Sequence, residues 1–143
     1  MTAYLDTSAL AKWYLNEPFA EEFEAYVLER PSADISRLTV VELRCVFARR
    51  RRAGDLARSA ETRAYAAFEQ DVSSGFLRVH PVTDQYVVEA LALIDELARV
   101  PLRTLDALHL AVARGLDVEE IATADRVVAN AAKSLGLRVV RFF

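Results

Sequence analysis

Four acidic residues stand far apart in the sequence, each within a short apolar motif. They are Asp6, Glu42, Asp106 and Asp125. Each one follows an apolar run typical of a β-strand or opens a run with helical periodicity. Carboxylate oxygens suit hard divalent cations such as Mg²⁺ or Mn²⁺, and they repel one another when no cation lies between them. If the fold brings the four residues together, they predict a metal site enclosed by carboxylates.

Each acid, taken alone, also has a structural explanation, because an acid in the first turn of a helix interacts favourably with the helix dipole. Asp6 has the position of a helix N-cap, and Glu42 follows Thr39 with the spacing of a capping box. Two further candidate caps precede the other two acids: Thr104 and Thr123. Capping alone explains no preference for acids over Ser, Thr or Asn, so the joint pattern favours a shared site.

Other chemistry has weaker support in the sequence. His109 lies three residues after Asp106 and therefore on the same helical face, but His80 is the only other histidine, which argues against a zinc site. We expect His109 to pack in the core or to support the acids. Thr7 and Ser8 can orient the carboxylate before them, but no nucleophile elbow is present, and neither is a phosphate-binding glycine loop.

The composition predicts one soluble domain spanning residues 1–143. The chain is 53% hydrophobic and carries a single cysteine, Cys45, which we expect to serve as packing in a reducing compartment. Charged residues interrupt the first 15 positions, and no apolar stretch approaches the roughly 20 residues of a membrane span. We therefore expect a cytoplasmic protein that does not engage a membrane.

Basic residues are concentrated in one region although the formal net charge is -3. Arg49–Arg52 form a continuous run, with Arg44, Arg58 and Arg63 nearby. Guanidinium groups suit bidentate contacts to phosphate, so this cluster is a candidate for binding phosphate groups. The alternative is a solvated helix end, where cations also favour the negative end of the helix dipole.

Apolar periodicity predicts alternating strands and helices. Strands are expected at Ala3–Leu5, Ala33–Ile35, Phe76–His80, Val118–Ala122 and Leu137–Arg141. Helices are expected between them, with Gly54, Gly115 and Gly136 as helix stops. This alternation predicts an α/β fold of three layers, α/β/α, with a parallel sheet whose strands end at one edge, where ligands usually bind.

Four motifs, taken in order, resemble a known family. They are Tyr4–Leu10, Leu38–Leu43, Leu102–Ala111 and Ile121–Asp125. Their residues and spacing resemble the PIN-domain nucleases and, within them, the compact VapC-type toxins of prokaryotic toxin–antitoxin pairs. The resemblance covers nearly the whole chain, and the order of the motifs is more specific than any one of them.

This resemblance implies an endoribonuclease that depends on Mg²⁺ or Mn²⁺. It also implies that the acidic cluster consists of Asp6, Glu42, Asp106 and Asp125, with Asp6 and Asp106 as the firmest metal ligands. Ser8 and Thr123 match hydroxyl positions beside the acids in the family. A homodimer and inhibition by a cognate antitoxin that covers the acidic cleft are implied as well.

Two alternative functions remain at this stage. A catalytically silent module that binds RNA or a protein through the arginine cluster predicts RNA binding without metal-dependent cleavage. A phosphatase of the haloacid dehalogenase type also uses acids and magnesium, but it requires a second Asp two residues after Asp6, where Ser8 stands. The sequence therefore disfavours the phosphatase.

Overall fold

Five parallel strands form the central sheet of the computed structural model, which describes residues 2–143. The strands are β1 Ala3–Leu5, β2 Ala33–Ser36, β3 Leu77–His80, β4 Glu120–Thr123 and β5 Arg138–Arg141. Their order in the sheet is β3-β2-β1-β4-β5. The chain therefore adds strands on one side of β1 before it crosses to the other side. This reversal creates a crevice at the carboxyl ends of β1 and β4, where α/β sheets bind ligands.

Helices cover both faces of this sheet. Within residues 2–143 they are α1 Thr7–Tyr14, α2 Ala20–Leu28, α3 Arg37–Arg52, α4 Arg58–Ser73, α5 Asp84–Glu96, α6 Thr104–Gly115 and α7 Arg126–Ser134. One hydrophobic core packs α1 to α4 against the sheet, and a second core packs α5 to α7 against its other face. The three-layer α/β/α architecture predicted from the sequence is confirmed.

Alternation along the central strands separates the two cores. Leu5 and Ala122 face α1 to α4, whereas Tyr4 and Ile121 face α5 to α7, and all four side chains are fully buried. Burial on both faces explains why these strands are continuous apolar runs. In the register of β1 and β4, Leu5 lies opposite Ala122, so the residues that follow both strands emerge side by side.

All three predicted helix stops lie at helix ends. Gly54 and Gly136 have φ angles of +82° and +80°, a conformation that favours glycine. Gly115 is the last residue of α6, but the left-handed conformation that follows this helix occurs at Asp117, with φ 54°. Gly115 serves packing instead, since a Cβ atom there would lie 2.3 Å from the Tyr86 ring.

Two other expectations concern the burial of Cys45 and the absence of a membrane-spanning helix. Cys45, which we expected to fill space in the core, is exposed on α3. In the part of the chain that the structure describes, no helix combines the length and the apolar character that crossing a bilayer requires.

Candidate functional site

Asp6 lies at the crevice between β1 and β4. Its backbone N–H donates to the carbonyl of Ala122 at 3.1 Å, which continues the pairing of the two strands. Its carboxylate caps α1 by accepting from the Ala9 N–H at 3.0 Å, as the capping interpretation predicted. The Ser8 hydroxyl donates to the same oxygen at 2.7 Å, and the Thr123 hydroxyl donates to the other oxygen. The carboxylate is thereby fixed in position.

The charge of Asp6 is poorly compensated by the protein. The side chain is almost completely buried, and every hydrogen bond that it accepts from residues 2–143 comes from a neutral group. Burial raises the pKa of Asp6, and the charge of His109 and the hydrogen bonds of Thr123 oppose that rise only in part. A cation beside Asp6 would therefore stabilise its charged form.

Glu42 reaches the same region from α3. Its Oε1 atom accepts from the Thr7 hydroxyl at 2.8 Å and from Nε2 of His109 at 2.5 Å. The capping-box alternative for Glu42 is wrong, because the capping box of α3 is formed by Ser36 and Thr39. Glu42 is thus bound to α1 and α6 rather than to the start of its own helix. Its partner on α1, Thr7, directly follows Asp6 in the sequence.

His109 positions Glu42. A carboxylate only accepts hydrogen bonds, so Nε2 of His109 carries the proton in its bond to Glu42. On the other side of the ring, Nδ1 lies 2.7 Å from the buried hydroxyl of Tyr4. Burial by itself would raise the pKa of Glu42, but the hydrogen bond and charge of His109 hold that pKa below its usual value. The expectation that His109 supports the acids agrees with this geometry.

The other two acids lie at the starts of α6 and α7. Asp125 is the N-cap of α7 and accepts from the Val127 and Val128 N–H groups at 2.8 and 3.1 Å. The predicted cap Thr123 is wrong, since its hydroxyl instead accepts from the Asp125 N–H at 2.9 Å. Thr104 is also not a cap, because the N-cap position of α6 belongs to the preceding residue.

Arg103, at that N-cap position, connects the two acids. Its Nε atom donates to Asp106 Oδ2 at 3.0 Å, and its Nη2 atom donates to Asp125 Oδ2 at 2.8 Å. Asp106 lies in the first turn of α6 and is only 7% exposed. The negative charges that α6 and α7 bring to the crevice are therefore held around a positively charged guanidinium.

All four predicted acids thus lie in one connected network. Thr123 connects Asp6 to Asp125 by hydrogen bonds, Arg103 connects Asp125 to Asp106, and the neighbour of Asp6 binds Glu42. Within residues 2–143, however, no three acidic, histidine or cysteine side chains already converge on one metal position. The donor set fits a hard cation by its chemistry, because it consists of carboxylate and hydroxyl oxygens around a buried, uncompensated acid.

Comparison with known proteins identifies the family. The model of the PIN domain matches residues 3–134. This chain belongs to the PIN-domain family. Ribonuclease VapC46 of Mycobacterium tuberculosis is 34% identical over 139 residues, which cover 96% of this chain and 95% of the relative.

Two solved structures share the fold of this PIN domain. VapC20 of Mycobacterium tuberculosis, a sarcin-ricin loop cleaving toxin, superimposes with a TM-score of 0.69 at 21% identity, over 90% of this chain and 94% of that one. A toxin–antitoxin complex from Klebsiella pneumoniae gives a TM-score of 0.60 at 20% identity, over 86% of each chain.

A groove of about 680 Å³ adjoins Glu42 and Arg103 of the PIN domain. Its lining includes the exposed apolar side chains of Val41 and Leu105, and Arg49 and Arg50 border it. Other members of the predicted arginine cluster are engaged in helix packing, because Arg44 and Arg51 both bind Glu61 of α4, at 3.2 and 2.8 Å. The cluster therefore divides into arginines that connect α3 to α4 and arginines that border the groove.

The sequence patterns did not indicate the part that Arg103 and Tyr4 play in this site. Arg103 lies three residues before Asp106, a spacing that places both on one face of a helical turn, so a local signal was present. Its bond to Asp125 spans 22 positions, and the contact between Tyr4 and His109 spans 105. Only the tertiary fold shows these two contacts.

Proposed function

We propose that this PIN domain is a metal-dependent endoribonuclease and the toxin of a toxin–antitoxin pair. The observation that carries the proposal is the buried carboxylate of Asp6, which receives only neutral hydrogen bonds at the crevice where three further acids gather. The relative VapC46 is a ribonuclease, and it matches nearly the full length of this chain. A phosphodiester bond in RNA is the substrate that this chemistry and this relative support.

In this proposal, Asp6 and Asp106 hold Mg²⁺ or Mn²⁺, and Glu42 and Asp125 complete the acidic site. When bound, the ion would lower the pKa of a bound water and stabilise negative charge on the phosphodiester. The protein contributes orientation: hydroxyl groups fix Asp6, and His109 fixes Glu42. No side chain is required as a nucleophile, because water performs the attack.

The arginines that border the groove supply attraction for RNA. Arg49 is exposed, and Arg50 lies next to it at the groove with one contact to Glu17. Guanidinium groups here raise the local concentration of a polyanion near an otherwise anionic site, despite the net negative charge of the chain. We infer that they contact the RNA backbone without reading its sequence.

An antitoxin is the protein partner in this proposal. The structural neighbour from Klebsiella pneumoniae is a toxin–antitoxin complex. The groove beside Glu42 combines exposed Val41 and Leu105 with arginines, which suits a protein segment carrying both apolar and acidic side chains. Such a segment would cover the acids and block RNA.

The cytoplasm, where RNA and reduced cysteine occur together, is the compartment we propose.

We also propose a homodimer, supported by an apolar stripe on α5. Val87, Val88, Leu91 and Ile94 are exposed by 49, 56, 66 and 41%. Light scattering on the purified chain is expected to give twice the monomer mass, and Leu91→Glu is expected to give a monomer because it places a charge within the stripe. Leu28→Glu is the matched control, since Leu28 is equally exposed on α2 but stands apart from the stripe. A dimer that survives Leu91→Glu would exclude this interface.

Cleavage of RNA in a metal-controlled assay tests the proposed activity. We expect the chain to cut total RNA with Mg²⁺ or Mn²⁺ and to be inactive in EDTA. Asp6→Asn and Asp106→Asn are expected to lower cleavage by at least about 100-fold, because each removes charge that holds the metal. Asp95→Asn, an exposed acid of α5, is the control and should keep full activity. RNA binding without cleavage by the wild-type chain would instead indicate the silent binding module.

A further inference from the structure

One guanidinium neutralises two of the four acids in the site. The Arg103 side chain forms two hydrogen bonds with Asp106, at 3.0 and 3.3 Å, and one with Asp125, at 2.8 Å. The backbone N–H of Arg103 donates a further hydrogen bond to Asp106 at 3.1 Å. Both oxygens of Asp106 are thus engaged by the same side chain. The hydrogen bonds and charges of these two acids raise the pKa of Arg103 still further, so it remains protonated. The chain itself supplies a cation at the position that joins α6 to α7.

The two sides of this contact differ in burial. The Arg103 side chain is 70% exposed, whereas the side chains of Asp106 and Asp125 are 9% and 26% exposed. The acids are anchored by the starts of their helices, but Arg103 reaches them from solvent along a flexible stem. Its backbone is extended, with φ −89° and ψ 164°, before α6 begins. Because the Arg103 side chain is largely exposed, its guanidinium can move into water by rotation of the side chain.

We propose that Arg103 is an internal counter-cation that competes with the divalent metal for Asp106 and Asp125. The inference rests on the metal site of the proposed function. A metal ion bound by Asp106 needs the oxygen lone pairs that now accept hydrogen bonds from Arg103, so both cations cannot use them fully at once. Arg103 thereby lowers the affinity for metal and stabilises the acidic crevice when no metal is bound.

Metal titration of the full chain tests this competition directly. Isothermal titration calorimetry with Mn²⁺ compares the wild type with Arg103→Gln, which keeps much of the side-chain length but removes the charge. We expect Arg103→Gln to bind Mn²⁺ roughly five- to tenfold more tightly. Arg114→Gln is the matched control, because Arg114 lies near the other end of α6 and binds Glu96, which is outside the site. That control should stay within about twofold of wild type.

Thermal melting supplies a second measurement that does not depend on cleavage. In EDTA, Arg103→Gln should melt below wild type, since Asp106 and Asp125 then repel each other without a counter-cation. Added Mn²⁺ should raise the melting temperature of Arg103→Gln by more than that of the wild type, which reduces the difference. If Arg103 served only to stabilise the fold, Arg103→Gln would lower the melting temperature equally in EDTA and in Mn²⁺. Arg103→Lys keeps the charge but loses the bidentate contact, so its melting temperature should lie between those of the wild type and Arg103→Gln.

The outcomes separate this inference from the proposed function. Tighter Mn²⁺ binding by Arg103→Gln, with Arg114→Gln unchanged, supports the competition. Equal or weaker binding by Arg103→Gln would overturn it and leave the metal site intact. If neither the wild type nor Arg103→Gln binds Mn²⁺, the competition and the proposed metal site both fail.

Discussion

Two buried carboxylates at opposite ends of the sheet are compensated in opposite ways. Glu120, at the amino end of β4, is 2% exposed and accepts hydrogen bonds from the Tyr26 hydroxyl at 2.8 Å and from Arg30 at 2.9 Å. Arg138 lies 3.6 Å from its second oxygen. Asp6, at the carboxyl end of β1, is about as buried but receives only neutral donors. The difference separates an acid whose charge the chain compensates from one whose charge an external cation would stabilise.

The physical basis is the cost of a buried charge. A carboxylate removed from water must be paired or coordinated, or it will take up a proton. Glu120 obtains its partners from the chain, and so does the buried Asp34 of β2, which contacts Arg78 and His80 at 2.9 and 2.7 Å. Among residues 2–143, Asp6 has no such ionic partner, and burial raises its pKa, which favours uptake of a proton. A buried acid without a cationic partner is thus the more informative sign of a site than acidity alone.

The largest change in stability is predicted for removal of the Glu120 charge at the amino end of the sheet. Glu120→Gln leaves Arg30 poorly exposed and without its ionic partner, so we expect the free energy of unfolding to fall by about 3 kcal/mol. Urea denaturation followed by circular dichroism measures this change. Glu96→Gln removes an acid from an exposed ion pair and should cost less than about 0.5 kcal/mol. A Glu120→Gln variant as stable as wild type would remove the structural half of the comparison.

The same contrast shows what the sequence could reveal. Asp6 and Glu120 each stand beside an apolar run, and the motif around Asp6 directed attention to the end of the sheet where the four predicted acids lie. The partners of Glu120 were invisible, because Tyr26 and Arg30 are 94 and 90 positions away. Strand and helix patterns are local and were predicted well, whereas the compensation of a charge depends on contacts that only the tertiary fold creates.

Gly115 and Arg103 illustrate the same limit at short range. A glycine at the end of a periodic run predicts a helix stop, but the Tyr86 ring from α5 determines why this residue has no side chain. Arg103 was part of a recognised motif, yet its second contact lies on α7. The sequence therefore predicted acids that the fold brings into one network, while the residues that orient or neutralise them required coordinates.

The smaller predicted effect has the opposite sign and concerns Asp6. Its raised pKa means that the folded chain holds a proton more tightly than the unfolded chain, so the charged carboxylate reduces stability as pH rises above the usual range of Asp. Asp6→Asn removes that charge and keeps an oxygen for the Ser8 hydroxyl and the Ala9 N–H. In EDTA at pH 7 we expect the free energy of unfolding to rise by about 1 kcal/mol over wild type.

Measuring this variant across pH distinguishes the charge from a change in packing. Urea denaturation in EDTA from pH 4 upwards should show the advantage of Asp6→Asn growing with pH until the raised pKa of Asp6 is passed, because the unfolded chain releases this proton at a lower pH than the folded chain. A packing effect would give a constant difference instead. If Asp6→Asn were destabilising at neutral pH by as much as Glu120→Gln, both acids would be structural, and the buried charge of Asp6 would no longer argue for a bound cation.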